Sequence, residues 1–197
     1  MKNSRIVLIV IAVIAVLVLF NGCSSYNQMA KSDESITQQW KQVEVAYQAR
    51  MDKTKNLLAV VNKAGDFEKG TLNEVIAARS KATSIQINAD ELTPENIEKF
   101  QKAQDAFGSS LSKLMAISEN YPNLKTVDAF RDFQAQYEGM ENRIANERRI
   151  FNDKVGAYNA SIRVFPRKIW ASLFGYEKRG YFSSSEGADQ APDISNM

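Results

Sequence analysis

The 197-residue sequence has no histidine and one cysteine, Cys23. The first absence removes Ser-His-Asp and Cys-His catalysis and His-ligated metal sites. The second removes internal disulfides and CxxC sites. Glycine and proline are scarce, at 9 and 4 residues, too few for the turns of a β-rich chain. Excess charge is also missing. With 25 Lys+Arg against 23 Asp+Glu, the net charge is +2, so the chain lacks the basic footprint of a nucleic-acid binder. Glu138 and Glu141 stand three apart on one predicted helix, with Glu44 and Glu68 elsewhere, but a di-metal bundle would need Glu-x-x-His pairs. These carboxylates read as solvated faces. Ser109-Ser110 and residues 183–185 have no base partner, and residues 175–180 carry no phosphate-loop pattern. The chain is therefore read as a non-enzyme with no cofactor.

What is present begins at the N-terminus. Met1-Lys-Asn-Ser-Arg5 is short and basic, and Ile6 to Phe20 is an unbroken apolar run of fifteen residues. As a helix it covers ~22 Å, short of the ~30 Å hydrocarbon core, and snorkelling of Lys2 and Arg5 can extend it. Three fates compete: a cleaved signal peptide, a lipoprotein signal ending at an acylated Cys23, and a retained anchor crossing the membrane through residues 6–20. The poor cleavage site at Phe20-Asn21-Gly22 favours the anchor. Lys2 and Arg5 precede the run and the next charge is Lys31, so the N-terminus is expected in the cytoplasm and the remainder outside it. These two residues carry the whole net charge. The exported part is formally neutral, which argues against long-range steering of nucleic acid or anionic lipid. Residues 1–25 are assigned to the anchor or signal, 26–182 to a helical domain, and 183–197, rich in Ser, Gly and acid, to a disordered tail.

The exported part reads as an elongated, all-α, antiparallel up-down bundle of about four long helices. Ile36, Trp40, Val43, Tyr47, Arg50, Thr54, Leu57, Val61 and Ala64 recur at steps of four and three, a coiled-coil-like heptad seam with two polar interruptions. This predicts a helix from about Asp33 to Ala64, ended by Gly65. Asp66 is expected to cap a second helix carrying Leu72, Val75, Arg79 and Ala82, fraying near 84–89. Thr93-Pro94-Glu95 is the start signal of a third helix, with Ile97, Phe100, Gln104, Phe107, Leu111, Leu114, Ser118 and Tyr121 on one stripe. A loop, Asn123 to Thr126, precedes a fourth helix whose stripe runs Phe130, Phe133, Tyr137, Met140, Ile144, Glu147, Phe151, Val155, Tyr158, Ile162 and Phe165. A short helix, Arg167 to Phe174, ends at Gly175.

Polar residues on or beside these seams are the informative ones: Arg50, Asn56, Arg79, Glu119, Glu141, Glu147, Arg148, Asn152 and Asn159. A buried Arg is costly unless paired. Arg50, Glu119, Glu141, Arg148 and Asn152 are therefore expected to form an internal network, with Glu119 and Glu141 as partners of the two arginines. The competing reading makes them a ligand or catalytic site in a polar pocket. Trp40 is expected in the core. Trp170, Phe174, Tyr176, Tyr181 and Phe182 form an aromatic cluster that packs on the bundle, rests at the membrane interface, or docks a partner.

Taken together, several elements resemble the LemA family of bacterial membrane-associated proteins. They are Tyr26-Asn27 after the apolar span, Trp40 with Val43, Arg50-Met-Asp52, Asn56-Leu57-Leu58, Glu68 and Ala78-Arg79. Glu119-Asn-Tyr121-Pro122-Asn-Leu124-Lys125, Glu141-x-x-Ile144, Arg148-x-x-x-Asn152, Val155, Tyr158-Asn159, Phe165-Pro166, Gly175-Tyr176 and Tyr181-Phe182 complete the pattern. The resemblance runs from about Tyr26 to Phe182. The chain has Lys53-Thr54-Lys55 where the family usually has Leu-Ile-Pro. The resemblance implies an antiparallel helical bundle behind an N-terminal anchor, with no established activity, catalytic residue or cofactor. It also points to an envelope protein partner, such as a membrane protein encoded nearby; the balanced charge, separately, argues against nucleic acid.

Overall fold

The computed structural model describes residues 2–63 and 67–183, and among them it contains helices and no strand. The first helix, α1, runs unbroken from Lys2 to Lys63. At 1.5 Å per residue its 62 residues span ~93 Å. The expected separation between a membrane segment and a bundle helix starting near Asp33 is thus corrected. Nothing between Asn21 and Asp33 breaks a helix: there is no proline, and one glycine costs only about 1 kcal/mol. Met29 is already buried, so the apolar seam extends below Ile36. Every described member of that seam, from Ile36 to Val61, is buried, Arg50 and Thr54 included. Thr54, between Lys53 and Lys55, returns its hydroxyl to the Arg50 carbonyl at 2.8 Å. Ala64, the Gly65 terminator and Asp66 lie outside the described residues; the expectation that Asp66 caps the second helix is corrected, because the cap position is held by Glu68, whose side chain makes no cap bond.

Helix α2 (Lys69–Ser84) buries Leu72, Val75 and Ala82. An irregular segment with one 3₁₀ turn, Ala89–Glu91, leads to α3 (Pro94–Ser118). Thr93 caps α3 by accepting the Asn96 N–H at 3.3 Å, and Pro94 fills the first turn, where its missing N–H costs nothing. The stretch read as a loop before the fourth helix contains a single helical turn, α4 (Pro122–Lys125). Proline presets its φ, and burial of Leu124 holds the turn against the bundle. Helix α5 (Asp128–Ser161) and the short α6 (Arg167–Leu173) follow, and Gly175 takes the left-handed φ of +74° that ends α6. One stripe member is misplaced by the sequence: Phe165 lies beyond the end of α5 and is 78% exposed. Of the expected tail, 184–197 lies outside the described residues.

Cross-helix pairs fix an up-down-up-down order. Ser35 meets Lys154 and Arg50 meets Glu141, so α1 and α5 are antiparallel. Glu74 meets Lys113 and Ala82 meets Gln104, so α2 and α3 are antiparallel too. Asp105 meets Arg148 and Gly108 meets Tyr137, giving the same sense for α3 and α5. The core has two parts along this axis. The part nearer the apolar segment gathers Met29, Trp40, Phe100, Phe151, Tyr158 and Phe182. The far part gathers Leu57, Val75, Phe107, Leu111, Leu114 and Phe130. Helix α2 is short and serves only the far part. Around the near part its place is taken by Ile87 and Leu92 of the α2–α3 connection and by the chain that follows α6.

Candidate functional site

Arg50 lies on the boundary between the two cores. Its side chain is only 3% exposed, and its guanidinium lies over the rings of Tyr47 (5.2 Å) and Phe107 (5.0 Å). Nη1 donates to Glu141 Oε1 at 3.0 Å, and Nη2 donates to the Gln104 side-chain oxygen at 2.8 Å and its carbonyl at 3.0 Å. Gln104 in turn donates to the Ala82 carbonyl at 3.4 Å. Three elements, α1, α3 and α5, thus meet on one charge, and Gln104 ties it to a fourth. Helical spacing explains the meeting: Gln104 interrupts the α3 stripe between Phe100 and Phe107 as Arg50 interrupts the α1 seam. Gly108 leaves room for the guanidinium, since a Cβ there would lie 3.2 Å from Nη1. Burial pushes the Tyr47 hydroxyl up to about 12, with the Arg148 and Arg50 charges pulling the other way.

The Arg50 layer forms the floor of an open cleft of about 1010 Å³ between α3 and α5, whose walls include Asp105, Ser112, Tyr137 and Glu141. Its lining is mixed in charge, and the hydroxyls of Ser112 and Tyr137 meet across it at 3.1 Å. Among the described residues no cluster of acidic or thiol side chains could hold a metal ion.

The structure separates the other expected network members. Arg148 Nη1 pairs with Asp105 at 3.2 Å, not with Glu119 or Glu141. Glu119 is exposed at the C-terminal cap of α3, outside the Arg50 layer; it lies beyond the last buried turn of the stripe. Asn152 faces a different structure, a strap formed by residues 175–183. Asn56 is exposed and Arg79 half-buried, while Glu147 accepts from Gln39 at 2.7 Å.

The strap is held by side chains that read its backbone. Asn159 donates to the Arg179 carbonyl (2.9 Å) and accepts its N–H (3.0 Å). Asn152 treats Phe182 in the same way, at 2.7 and 2.9 Å, and Gln101 treats Ser183 in the same way, at 3.0 and 2.9 Å. Each carboxamide offers one donor and one acceptor, so it replaces a neighbouring strand. Arg148 adds a bond to the Ser183 carbonyl and stacks on Phe182 at 4.9 Å, and Tyr158 donates to the Glu177 carbonyl at 2.9 Å. Arg179 grips Asp33 through Nε and Nη2, both at 2.9 Å. At Gly180 the strap passes so close to α3 that a Cβ would lie 2.7 Å from Pro94 Cα and from the Thr93 carbonyl oxygen.

Phe182 therefore leaves the expected docking patch. It is buried between Trp40 (6.1 Å), Phe100 (6.4 Å) and Phe151 (5.4 Å). Trp170 and Phe174 stack at 6.0 Å, and Phe174 and Tyr176 both pack on Tyr26. Trp170 donates its indole N–H to Asn21 at 3.1 Å and lies over Gly22. Tyr181 is separate and exposed beside Gly156. Cys23 is a free, exposed thiol inside α1. Sequence reasoning missed Gln101, Gln104, Asp105, Arg179, Asp33 and Gly180 as site residues. Only Gln104 carried a signal, as a polar step on an apolar stripe.

Three curated relatives are magnetosome proteins: MamQ of Magnetospirillum gryphiswaldense, 33% identical over 87 residues, and MamQ 1 and MamQ 2 of Paramagnetospirillum magneticum, each 32% identical. The shared stretch covers 44% of this chain and 32% of each relative. One stretch of α1, near its N-terminus, is long and apolar enough to cross a membrane. The LemA family matches residues 39–195, most of the chain including α5 and the strap, and the protein belongs to the LemA family.

Proposed function

We propose that this protein is a non-enzymatic, membrane-anchored helical module of the bacterial cell envelope, working through protein–protein contacts with its bundle outside the cytoplasm. The observation that carries this reading is where the interior charges go. Arg50, Arg148 and Arg179 are each taken up by carboxylates and backbone of the same chain, which leaves surfaces as the means of action. Lys2 and Arg5, before the apolar run, support the outward orientation. Photo-crosslinking groups placed at Ser109 and Ser112, on the rim of the α3–α5 cleft, should capture a discrete envelope protein in living cells. Capture of nothing, with a small molecule retained by the purified protein in native mass spectrometry, would overturn it. External protease should digest the bundle in spheroplasts, and protection would overturn the orientation.

A second reading, a small-ligand or unusual catalytic site, is favoured by the α3–α5 cleft, which Arg50 and Glu141 both line. Native mass spectrometry decides between the two.

A further inference from the structure

We infer that α6 and the turn before it are a second membrane contact, a ledge resting on the lipid surface beside the anchor. The inference rests on the reading that residues 6–20 cross a membrane. Beyond Phe20, nine large apolar side chains are exposed among the described residues, and five of them fall within residues 164–174. These are Val164, Phe165, Ile169, Leu173 and Phe174, and Leu173 is 69% exposed. A patch this concentrated on a water-facing surface calls for an occupant.

The height of the patch identifies that occupant. Trp170 bonds Asn21 and covers Gly22, and Gly22 stands two residues past the end of the apolar run, ~3 Å along the helix axis. The ledge is therefore level with the point where α1 leaves the hydrocarbon. Tyr26, Trp170 and Tyr176, gathered around Phe174, form an aromatic group at that level, and Trp and Tyr, with an apolar body and a polar tip, favour bilayer interfaces. Ile169 and Leu173, four apart, share one side of α6. The formally neutral domain also hides a local excess: residues 163–179 hold five basic side chains and one acidic, Glu177. Arg179 is committed to Asp33 and Arg167 bonds Gln28, but Arg163, Lys168 and Lys178 are exposed and suit anionic headgroups. Continuity with the anchor, aromatic content and charge all point to a lipid surface.

The test uses the full chain with Cys23→Ala, reconstituted in vesicles of phosphatidylcholine with phosphatidylglycerol. Single spin labels are placed through Val13→Cys, Val45→Cys, Ile169→Cys and Leu173→Cys, all at exposed positions. Collision rates with oxygen, which concentrates in lipid, are compared with those of a water-soluble nickel chelate. Positions 169 and 173 should resemble position 13, rich in oxygen and poor in nickel, while position 45 shows the reverse. Nickel access at 169 and 173 equal to that at 45, with 13 still in lipid, would overturn the ledge and leave the anchor standing. Shielding of 169 and 173 from both reagents would mean a protein contact and would also overturn it. Nickel access at position 13 would remove the anchor reading, and the ledge with it.

Discussion

Arg50 is held in an apolar seam because both terminal nitrogens of its guanidinium are answered, Nη2 by Gln104 and Nη1 by Glu141, with the rings of Tyr47 and Phe107 against its faces; Nε is buried without a partner. The two ions are unequally buried. Glu141 keeps 35% of its side chain in contact with solvent, whereas Arg50 keeps 3%. Arg50→Ala leaves a carboxylate that can turn to water, so the cost should fall at the low end of the ~3–5 kcal/mol range for breaking a buried pair, about 3 kcal/mol. For a chain of this size that lowers Tm by roughly 6–12 °C. Glu141→Gln keeps an acceptor oxygen and should cost only about 1 kcal/mol, and Lys53→Ala, exposed one turn away, almost nothing. Thermal unfolding of the four proteins in one detergent ranks them. Burial also holds the hydroxyls of Tyr47 and Tyr158 up to about 12, from an ordinary 10.0. These tyrosines keep their protons longer in the folded than in the unfolded chain. Their contribution to stability is complete below pH 10 and is lost as pH rises from about 10 to about 12. Phenolate absorbance during alkaline titration should show Tyr47 and Tyr158 ionising last among the seven tyrosines, or only on unfolding, behind Tyr137 and Tyr176, which burial also raises; Tyr47→Phe should remove one of the last to ionise. The place of Arg50 was legible because it broke a seam with a fixed period. Its partners were only half legible. Glu141 was named, but Asp105, which takes Arg148, lies off the α3 stripe at a position that helical spacing reads as solvent-facing.

The strap is the element that periodicity could not reveal. Helices show a period of 3.6 and strands of 2, but residues 175–183 form neither. They are extended because carboxamides on α5 and α3 supply what a neighbouring strand would. Asn152 and Asn159 were visible as polar residues beside the α5 stripe, and seven residues apart they lie on one helix face. What they hold could not be read from α5 alone. For Phe182 three readings stayed open, packing on the bundle among them, for the same reason: nothing local distinguishes a terminal aromatic that closes a core from one that docks. Phe182→Ala should cost ~3–5 kcal/mol, the range for emptying a buried aromatic site. Asn152→Ala and Asn159→Ala each remove two bonds to the strap backbone and should cost about 1–3 kcal/mol. Gly180→Ala pushes a Cβ against backbone atoms of α3 that cannot rotate away, so it should release the strap as a unit. Amide hydrogen exchange of residues 177–183 should accelerate strongly in Gly180→Ala, whereas the far core, at Leu111 and Phe130, keeps its protection. Loss of protection throughout would show that the strap is not a separable element.

At the scale of the molecule, α1 joins the apolar segment to the bundle without a hinge, and the type, order and antiparallel sense of the longer helices were legible from stripes and caps, while the single turn of α4 was not. The continuity was not. Asn21-Gly22-Cys23-Ser24-Ser25 reads locally as a boundary, and the residues that make it helical come from far away: Trp170 on Asn21 and Gly22, Phe174 and Tyr176 on Tyr26. This packing bears on the fate of the N-terminus. Cleavage before Cys23 would discard Asn21 and Gly22 and strip Trp170 of its hydrogen-bond partner and its seat. A folded domain that uses those two residues supports a retained anchor. The most direct measurement is the intact mass of the protein extracted from its own membrane, for wild type and Cys23→Ala. The account predicts a wild-type mass that includes residues 1–22 with an unmodified Cys23, and a variant that stays in the membrane, lighter only by the sulfur. A wild-type mass that begins at Cys23 and carries acyl chains would contradict it.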